Sequence, residues 1–156
     1  MAVVRDGETM PASSGSPSRS LDNPLPGSRM SMAYGQAVHP TRHTAYFHRG
    51  VDLVAPAGTP VHAAADGVVE LATTAYAPAP DSGSVVVIDH GRGAKTFYAH
   101  LGTLLVRQGQ QIRRGDTLAL VGISGLTTGP HLHLEVWRDG EHVDPSSAVS
   151  GLPAAR

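Results

Sequence analysis

A chain of 156 residues with a net charge of −1, 40% hydrophobic side chains and only 4% aromatic ones has the length of one domain, and its core must come from small and β-branched residues. Near-neutral charge without a basic stripe argues against a nucleic-acid partner, and no stretch approaches the roughly 20 apolar residues that a membrane helix needs. There is no Cys, which excludes a disulfide framework and a thiolate metal site, so a metal would have to be held by the nine His and by carboxylates.

The 18 Gly and 12 Pro break the chain often and predict many short strands joined by turns, with little helix. Residues 1–24, which include Pro11-Ala12-Ser13-Ser14-Gly15-Ser16-Pro17-Ser18, have almost no apolar periodicity and read as a disordered N-terminal tail. They also lack an apolar run of about 7 to 15 residues, so no signal peptide is visible in the chain as written. Residues 25–150 read as one domain, followed by a short C-terminal tail over 151–156. Within the domain, residues 61–71 read as a strand pair turning at Asp66-Gly67. Residues 84–89, with Val85-Val86-Val87-Ile88 unbroken, predict a strand buried on both faces. Further strands are predicted over 95–101, 111–113, 117–121 and 131–137, and a short turn of helix over 146–149. Residues 76–83 form a Pro-rich loop, because two prolines would break any ladder.

The segment Gly129-Pro130-His131-Leu132-His133-Leu134-Glu135-Val136-Trp137 carries the strongest chemical signal. On a strand, Leu132, Leu134 and Val136 face one way while His131, His133 and Glu135 face the other, so one face builds core and the other presents two imidazoles side by side. A second pair lies in His48-Arg49-Gly50-Val51-Asp52. Gly50, the β-branched Val51 and the following Ala55-Pro56-Ala57-Gly58 disfavour a helix there, so the chain must bend through Gly50 to aim both groups at one point. A fifth candidate is His100. If residues 96–101 are a regular strand, Phe97 and Ala99 share one face while Tyr98 and His100 share the other. Catalytic zinc sites draw three protein ligands from His, Asp and Glu and leave a fourth position for water.

In this order and at these separations, His48-x-x-x-Asp52, Tyr98-Ala99-His100-Leu101 and Thr128-Gly129-Pro130-His131-Leu132-His133-x-Glu135-Val136 resemble the lysostaphin-type (LytM, M23) zinc metallopeptidase family. The likeness continues through Gly50-Val51-Asp52-Leu53, residues 55–61, 64–69, 87–91, 109–115 and 140–145, and covers residues 25–150. It implies a mainly β fold, an antiparallel sheet forming a groove of the duplicated-hybrid-motif or LytM-like kind. It implies Zn2+ held by His48, Asp52 and His133, with His100 and His131 flanking the metal as catalytic groups. It also implies an endopeptidase that cuts peptide bonds in peptidoglycan stems or cross-links with a zinc-activated water, in the periplasm, the cell envelope or outside the cell.

Such chemistry suits histidine: a neutral imidazole with a pKa near 6.5 can accept a proton from water, and a second can hydrogen-bond the oxyanion or protonate the leaving amine. The sequence leaves open which of His100 and His131 does which. Glu135 reads as structural or as a support to the ligands. His39, His43, His62, His90 and His142 read as surface or hydrogen-bonded structural residues. Tyr46 and Tyr98 are candidates for lining the cleft, with packing as the simpler reading.

Three stretches depart from the family pattern. Residues 76–84 stand where members often carry a Gly-Tyr-Gly-like stretch, residues 31–36 lack a common Arg, and Ile123-Ser124-Gly125 replaces a Thr-Gly step. The first of these loops is placed to border the cleft and to alter substrate choice. Two other functions compete. One is an inactive peptidoglycan-binding or activator domain of the same fold, which would typically have lost metal ligands. The other is a histidine phosphocarrier, which would have no need of His48-x-x-x-Asp52.

Overall fold

Alternation between apolar and polar residues becomes a sheet with two covered faces. The computed structural model describes residues 20–38 and 42–155. Its strands are β1 (Leu21–Asp22), β2 (Arg29–Met32), β3 (Gly35–Val38), β4 (Ala45–His48), β5 (Val51–Val54), β6 (Pro60–His62), β7 (Gly67–Thr73), β8 (Ser84–Gly91), β9 (Ala94–Leu104), β10 (Gln111–Ile112), β11 (Thr117–Val121), β12 (His131–Arg138), β13 (Glu141–Val143) and β14 (Val149–Ser150), with one helical turn, α1 (Pro145–Ala148). Ten strands form one sheet in the order β10-β7-β8-β9-β12-β5-β2, with β13 added to β12 and β11 joining β9 to β6. Its pairs are antiparallel, as the mainly β reading requires.

The run Val85-Val86-Val87-Ile88 is buried throughout, as its unbroken apolar character predicts. Alternate residues feed two clusters. Val86 and Ile88 join Tyr98, Leu101, Leu132, Leu134 and Val136 in the main core, while Val85 and Val87 join Phe97 and Ala99 on the opposite face. The predicted strands over 95–101, 117–121 and 131–137 appear as β9, β11 and β12, and α1 caps on Asp144, whose side chain accepts from the Ser146 N–H.

Two expectations change. Residues 61–71 do not form a hairpin, because β6 pairs with β11 while β7 pairs with β8 and β10. Asp66 is a junction instead: its carboxylate accepts from the Arg114 N–H at 2.7 Å and its carbonyl from His90 Nδ1 at 2.7 Å. Residues 21–24, read as part of the tail, belong to the fold. Leu21 and Leu25 are buried in the main core, β1 pairs in parallel with β14, and Asn23 donates to the Gly151 carbonyl at 3.0 Å. At the other end Leu152 packs on the core and Ala155 bridges to Met30. Isolated apolar side chains at 21 and 25 carry no periodicity, yet each fills a core site. Residues 1–19 and His39 lie outside the described residues.

Beneath the sheet runs a chain of hydroxyls that holds β9 in place. The Ala64 N–H donates to Tyr98 Oη at 3.1 Å, Tyr98 and Thr96 share a 2.7 Å bond, and Thr96 Oγ1 lies 2.7 Å from His90 Nε2. Since His90 Nδ1 must donate to the Asp66 carbonyl, Nε2 accepts from Thr96, and the chain is complete only with a neutral imidazole. Protonation would reverse it and strand the Tyr98 hydroxyl hydrogen in the core. Burial pushes His90 below its ordinary value and pushes Tyr98 up to about 12. Two outcomes follow. Tyr98→Phe should cost about 1–3 kcal/mol in denaturant unfolding, since it orphans the buried Ala64 N–H. Below about pH 6.5 the unfolded chain binds a proton that folded His90 refuses, so stability should fall as pH drops from there. His90→Gln should show a shallower acid slope in the same melts.

Candidate metal centre and active site

The site is assembled by strand register. On β12, Leu132, Leu134 and Val136 are fully buried in the main core, which turns His131, His133 and Glu135 to the other face. β5 lies antiparallel beside it with His133 opposite Asp52, and this places His133 Nδ1 2.9 Å from Asp52 Oδ1. His48 ends β4, and the link through Arg49 and Gly50 leads into β5 pressed close against β12. A Cβ on Gly50 would overlap the Leu134 carbonyl oxygen, so only glycine permits the close approach. The bend brings His48 Nε2 to 3.3 Å from Asp52 Oδ1. Potential ligand atoms of His48, Asp52 and His133 thus lie within 4.8 Å of one another.

His100 reaches the same place by a different route, and here the regular-strand expectation fails. Tyr98 points into the main core, and on a regular strand His100 would follow it. Instead His100 has φ of 60°, a left-handed conformation that costs a non-glycine residue on the order of 1–2 kcal/mol. The pairing of β9 with β8 shifts register at this point, between Val86 opposite Tyr98 and Ser84 opposite Leu101. The turn moves the imidazole to the Ala99 side of the sheet, where its ring centre lies 4.8 Å from His131 and 6.2 Å from His133.

Each of the four histidines has its outer nitrogen engaged. His48 Nδ1 lies 2.9 Å from the Ala33 carbonyl and His100 Nδ1 2.8 Å from the Ser124 carbonyl. His131 Nδ1 lies 2.9 Å from the Gly129 carbonyl and 3.0 Å from Thr127 Oγ1. A carbonyl can only accept, so Nδ1 donates in all three and the lone pair sits on Nε2. His133 is turned the other way round: its Nε2 meets Glu135 Oε2 at 2.8 Å, leaving Nδ1 for Asp52. Trp137 Nε1 donates to the second Glu135 oxygen at 2.7 Å.

The electrostatics follow from this crowding. Burial works against the Asp52 charge, but hydrogen bonds from His133 and His48 outweigh it and hold the carboxyl well below the usual range. Burial likewise opposes a charged His133, yet its bonds to Asp52 and Glu135 push it up to about 9. Glu135 is held below its ordinary value in spite of burial, chiefly by the bond to His133. His100, desolvated and beside two other imidazoles, is pushed down. The donor set, two imidazoles and an ionised carboxylate with outer nitrogens anchored, has the composition of a metal centre with three protein ligands.

All five sequence-derived residues, His48, Asp52, His100, His131 and His133, therefore meet at one face. Tyr98 does not line it, being wholly buried. Tyr46 stands nearby, its ring centre 6.2 Å from His48. His62 bonds the Gly115 carbonyl at 3.1 Å and His142 the Tyr34 hydroxyl at 2.8 Å. The supporting carbonyls of Ala33, Ser124 and Gly129 escaped sequence reasoning, since a carbonyl acceptor leaves no mark on residue type. Trp137 was open to it, sharing the alternation of the strand edge two residues from Glu135.

Comparison with known proteins agrees with this geometry. Over 130 residues, 83% of its length, the chain is 41% identical to DD-carboxypeptidase/endopeptidase Mpg of Neisseria meningitidis serogroup B, covering 29% of that protein. It is 39% identical over 137 residues to peptidoglycan DD-endopeptidase ShyC of Vibrio cholerae, covering 87% of this chain and 30% of the relative. The chain thus spans under a third of these relatives' length. A zinc containing peptidase from Vibrio cholerae superposes with a TM-score of 0.71 at 34% identity, over 81% of this chain and 39% of that one. The model of peptidase family M23 matches residues 46–145, from the strand that ends in His48 to the proline that opens α1, and the chain belongs to that family.

Proposed function

We propose that the chain is a zinc-dependent endopeptidase that hydrolyses peptide bonds in peptidoglycan stems or cross-links. The observation that carries this reading is the convergence of His48 Nε2, Asp52 Oδ1 and His133 Nδ1, with two further imidazoles, His100 and His131, beside them. Membership of a peptidase family and the peptidoglycan DD-endopeptidase relative support the substrate class. In this reading His48, Asp52 and His133 are the metal ligands. The chemistry that zinc supplies when held there is Lewis acidity, toward a carbonyl oxygen and toward water.

His100 and His131 do the proton work. Each has its Nδ1 tied to a carbonyl and so offers Nε2 to the site. The depressed basicity of His100 keeps it neutral and able to accept. Between them, the two Nε2 atoms take the proton from the attacking water and return one to the leaving amine. Asp52, ionised throughout the physiological range, stabilises positive charge at the centre, and its Oδ1 lies 3.8 Å from His131 Nε2. A silent binding domain of this fold would be expected to have lost ligands, and a phosphocarrier would leave Asp52 without a role.

The decisive experiment is digestion of cross-linked muropeptides by zinc-loaded protein and by chelated protein, read by mass spectrometry. Cleavage should occur only with zinc; equal products in both, or none across several peptidoglycan types, would overturn the proposal. Replacing His48, Asp52 or His133 by Ala should abolish zinc binding and activity together. His100→Ala and His131→Ala should retain zinc while turnover falls by about 10²–10⁴-fold; loss of zinc would reassign that residue as a ligand.

Two further outcomes concern the support around His133. Glu135→Gln should weaken zinc affinity by about 10- to 100-fold in competition with a chromogenic chelator. At pH 7, below the value of about 9 that His133 takes in the metal-free protein, zinc uptake should release a proton from this residue, detectable by calorimetry in buffers of different ionisation enthalpy. Above that value the release should vanish. Activity should decline below about pH 6, where protonated imidazoles neither bind metal nor accept protons.

A further inference from the structure

On the sheet face that carries His133 and Glu135, a cavity of about 320 Å³ opens beside the metal-ligand cluster. This is the lower end of the size that takes a small ligand. Its floor is apolar, made by Val87, Phe97 and Trp137, and its wall is built by Tyr76, Pro78 and Ala79. The Tyr76 ring stands edge-on to Phe97 at 5.3 Å, which ties the wall to the floor. That wall is the Pro-rich loop of residues 76–83, and the 3-10 turn at Pro80–Ser82 together with the Tyr76 N–H to Gly83 carbonyl bond at 3.2 Å closes it on itself.

Four charged side chains reach the cavity: Arg49, Glu70, Lys95 and Glu135. Three are spoken for. Lys95 Nζ pairs with Glu70 Oε1 at 2.7 Å. Glu135 gives one oxygen to His133 at 2.8 Å and the other to Trp137 at 2.7 Å. Arg49, exposed and next in sequence to His48, has no carboxylate at ion-pair distance among the described residues, and its charge reaches Glu135 only through space, helping to hold that carboxyl below its ordinary value. A guanidinium lining a cavity with an apolar floor can receive a carboxylate in bidentate fashion.

We propose that this cavity seats a stem-peptide residue bearing a free carboxylate on an aliphatic chain, with Arg49 reading the carboxylate and the Tyr76 wall bounding the chain. The proposal rests on the peptidoglycan reading above and deepens it: the protein would discriminate between stems whose carboxylate is free and stems in which it is amidated. Two carboxylates of a stem share this chemistry, the α-carboxylate of the γ-linked D-glutamate and the C-terminal carboxylate of D-alanine.

The test is calorimetric binding of the tetrapeptide L-alanyl-γ-D-glutamyl-L-lysyl-D-alanine to zinc-loaded protein, beside two forms amidated at one or the other carboxylate. At least one amidation should weaken binding about tenfold, the loss of one charge-assisted bidentate contact. Arg49→Gln should bind that amidated form and the free acid alike, Arg49→Lys should keep part of the difference, and Tyr76→Ala should weaken all three by a similar factor. Equal binding of all forms by the unaltered protein, a tenfold preference that survives in Arg49→Gln, or no binding of any form would overturn the subsite. Muropeptide digestion with the same preparations separates the two readings. Cleavage without discrimination removes the subsite alone, whereas discrimination without cleavage removes the peptidase and keeps the subsite.

Discussion

The contact between Asp52 Oδ1 and His133 Nδ1, 2.9 Å across two neighbouring strands, is the constraint on which the rest of the site depends. It exists because β5 and β12 pair in one register, with Leu53 opposite Leu132 and Val51 opposite Leu134. All four of those side chains are fully buried. A slip of one residue would turn this apolar set to the groove and the imidazoles into the core, so the hydrophobic effect that folds the sheet also sets the ligand geometry. His48 joins only because Gly50 lets the preceding chain approach β12 in contact with the Leu134 carbonyl.

Around that contact the protein spends its hydrogen bonds on orientation. Three imidazoles are held by backbone carbonyls and one by a carboxylate that is itself held by Trp137. An unanchored ring would have two tautomers and free rotation about χ2, and each would have to be frozen when a metal or substrate arrives. Anchoring removes that entropy in advance. Without a metal the cluster stays together as a carboxylate–imidazolium–carboxylate array, Asp52–His133–Glu135, in which burial opposes each charge and mutual pairing outweighs it.

A sheet covered on both sides explains why chemistry and stability can share so few strands. β8 and β9 send alternate residues to the main core and to the smaller cluster of Val85, Val87, Phe97 and Ala99. That second cluster is at once packing and cavity floor, and the Pro-rich loop over it is anchored by Tyr76 on Phe97 and by the Leu126 N–H bonded to the Asp81 carbonyl. The main core holds the hydroxyl chain from Ala64 through Tyr98 and Thr96 to His90, which fixes β9 one residue before Ala99 and the left-handed His100.

Much of this was legible in residue order. The period-two pattern of residues 131–136 announces a strand with two imidazoles on one face, and the unbroken valines of 85–88 announce burial on both faces, because side-chain alternation is a property of the extended backbone itself. The spacing of His48 and Asp52 around Gly50 announces a bend rather than a helix. What sequence reasoning missed has a common cause: partners far apart in the chain. Residues 61–71 look like a hairpin locally, but β6 finds a better partner in β11. Leu21 looks like tail until β1 finds its partner in β14, over a hundred positions away. The face of His100 cannot be read by alternation, since its positive φ arises where β9 changes register against β8. The sequence by itself determined the chemistry, through which side chains are available and which strand faces they share; only the tertiary structure decided which nitrogen of each histidine points inward, because that choice belongs to carbonyls and carboxylates brought in from other strands and loops.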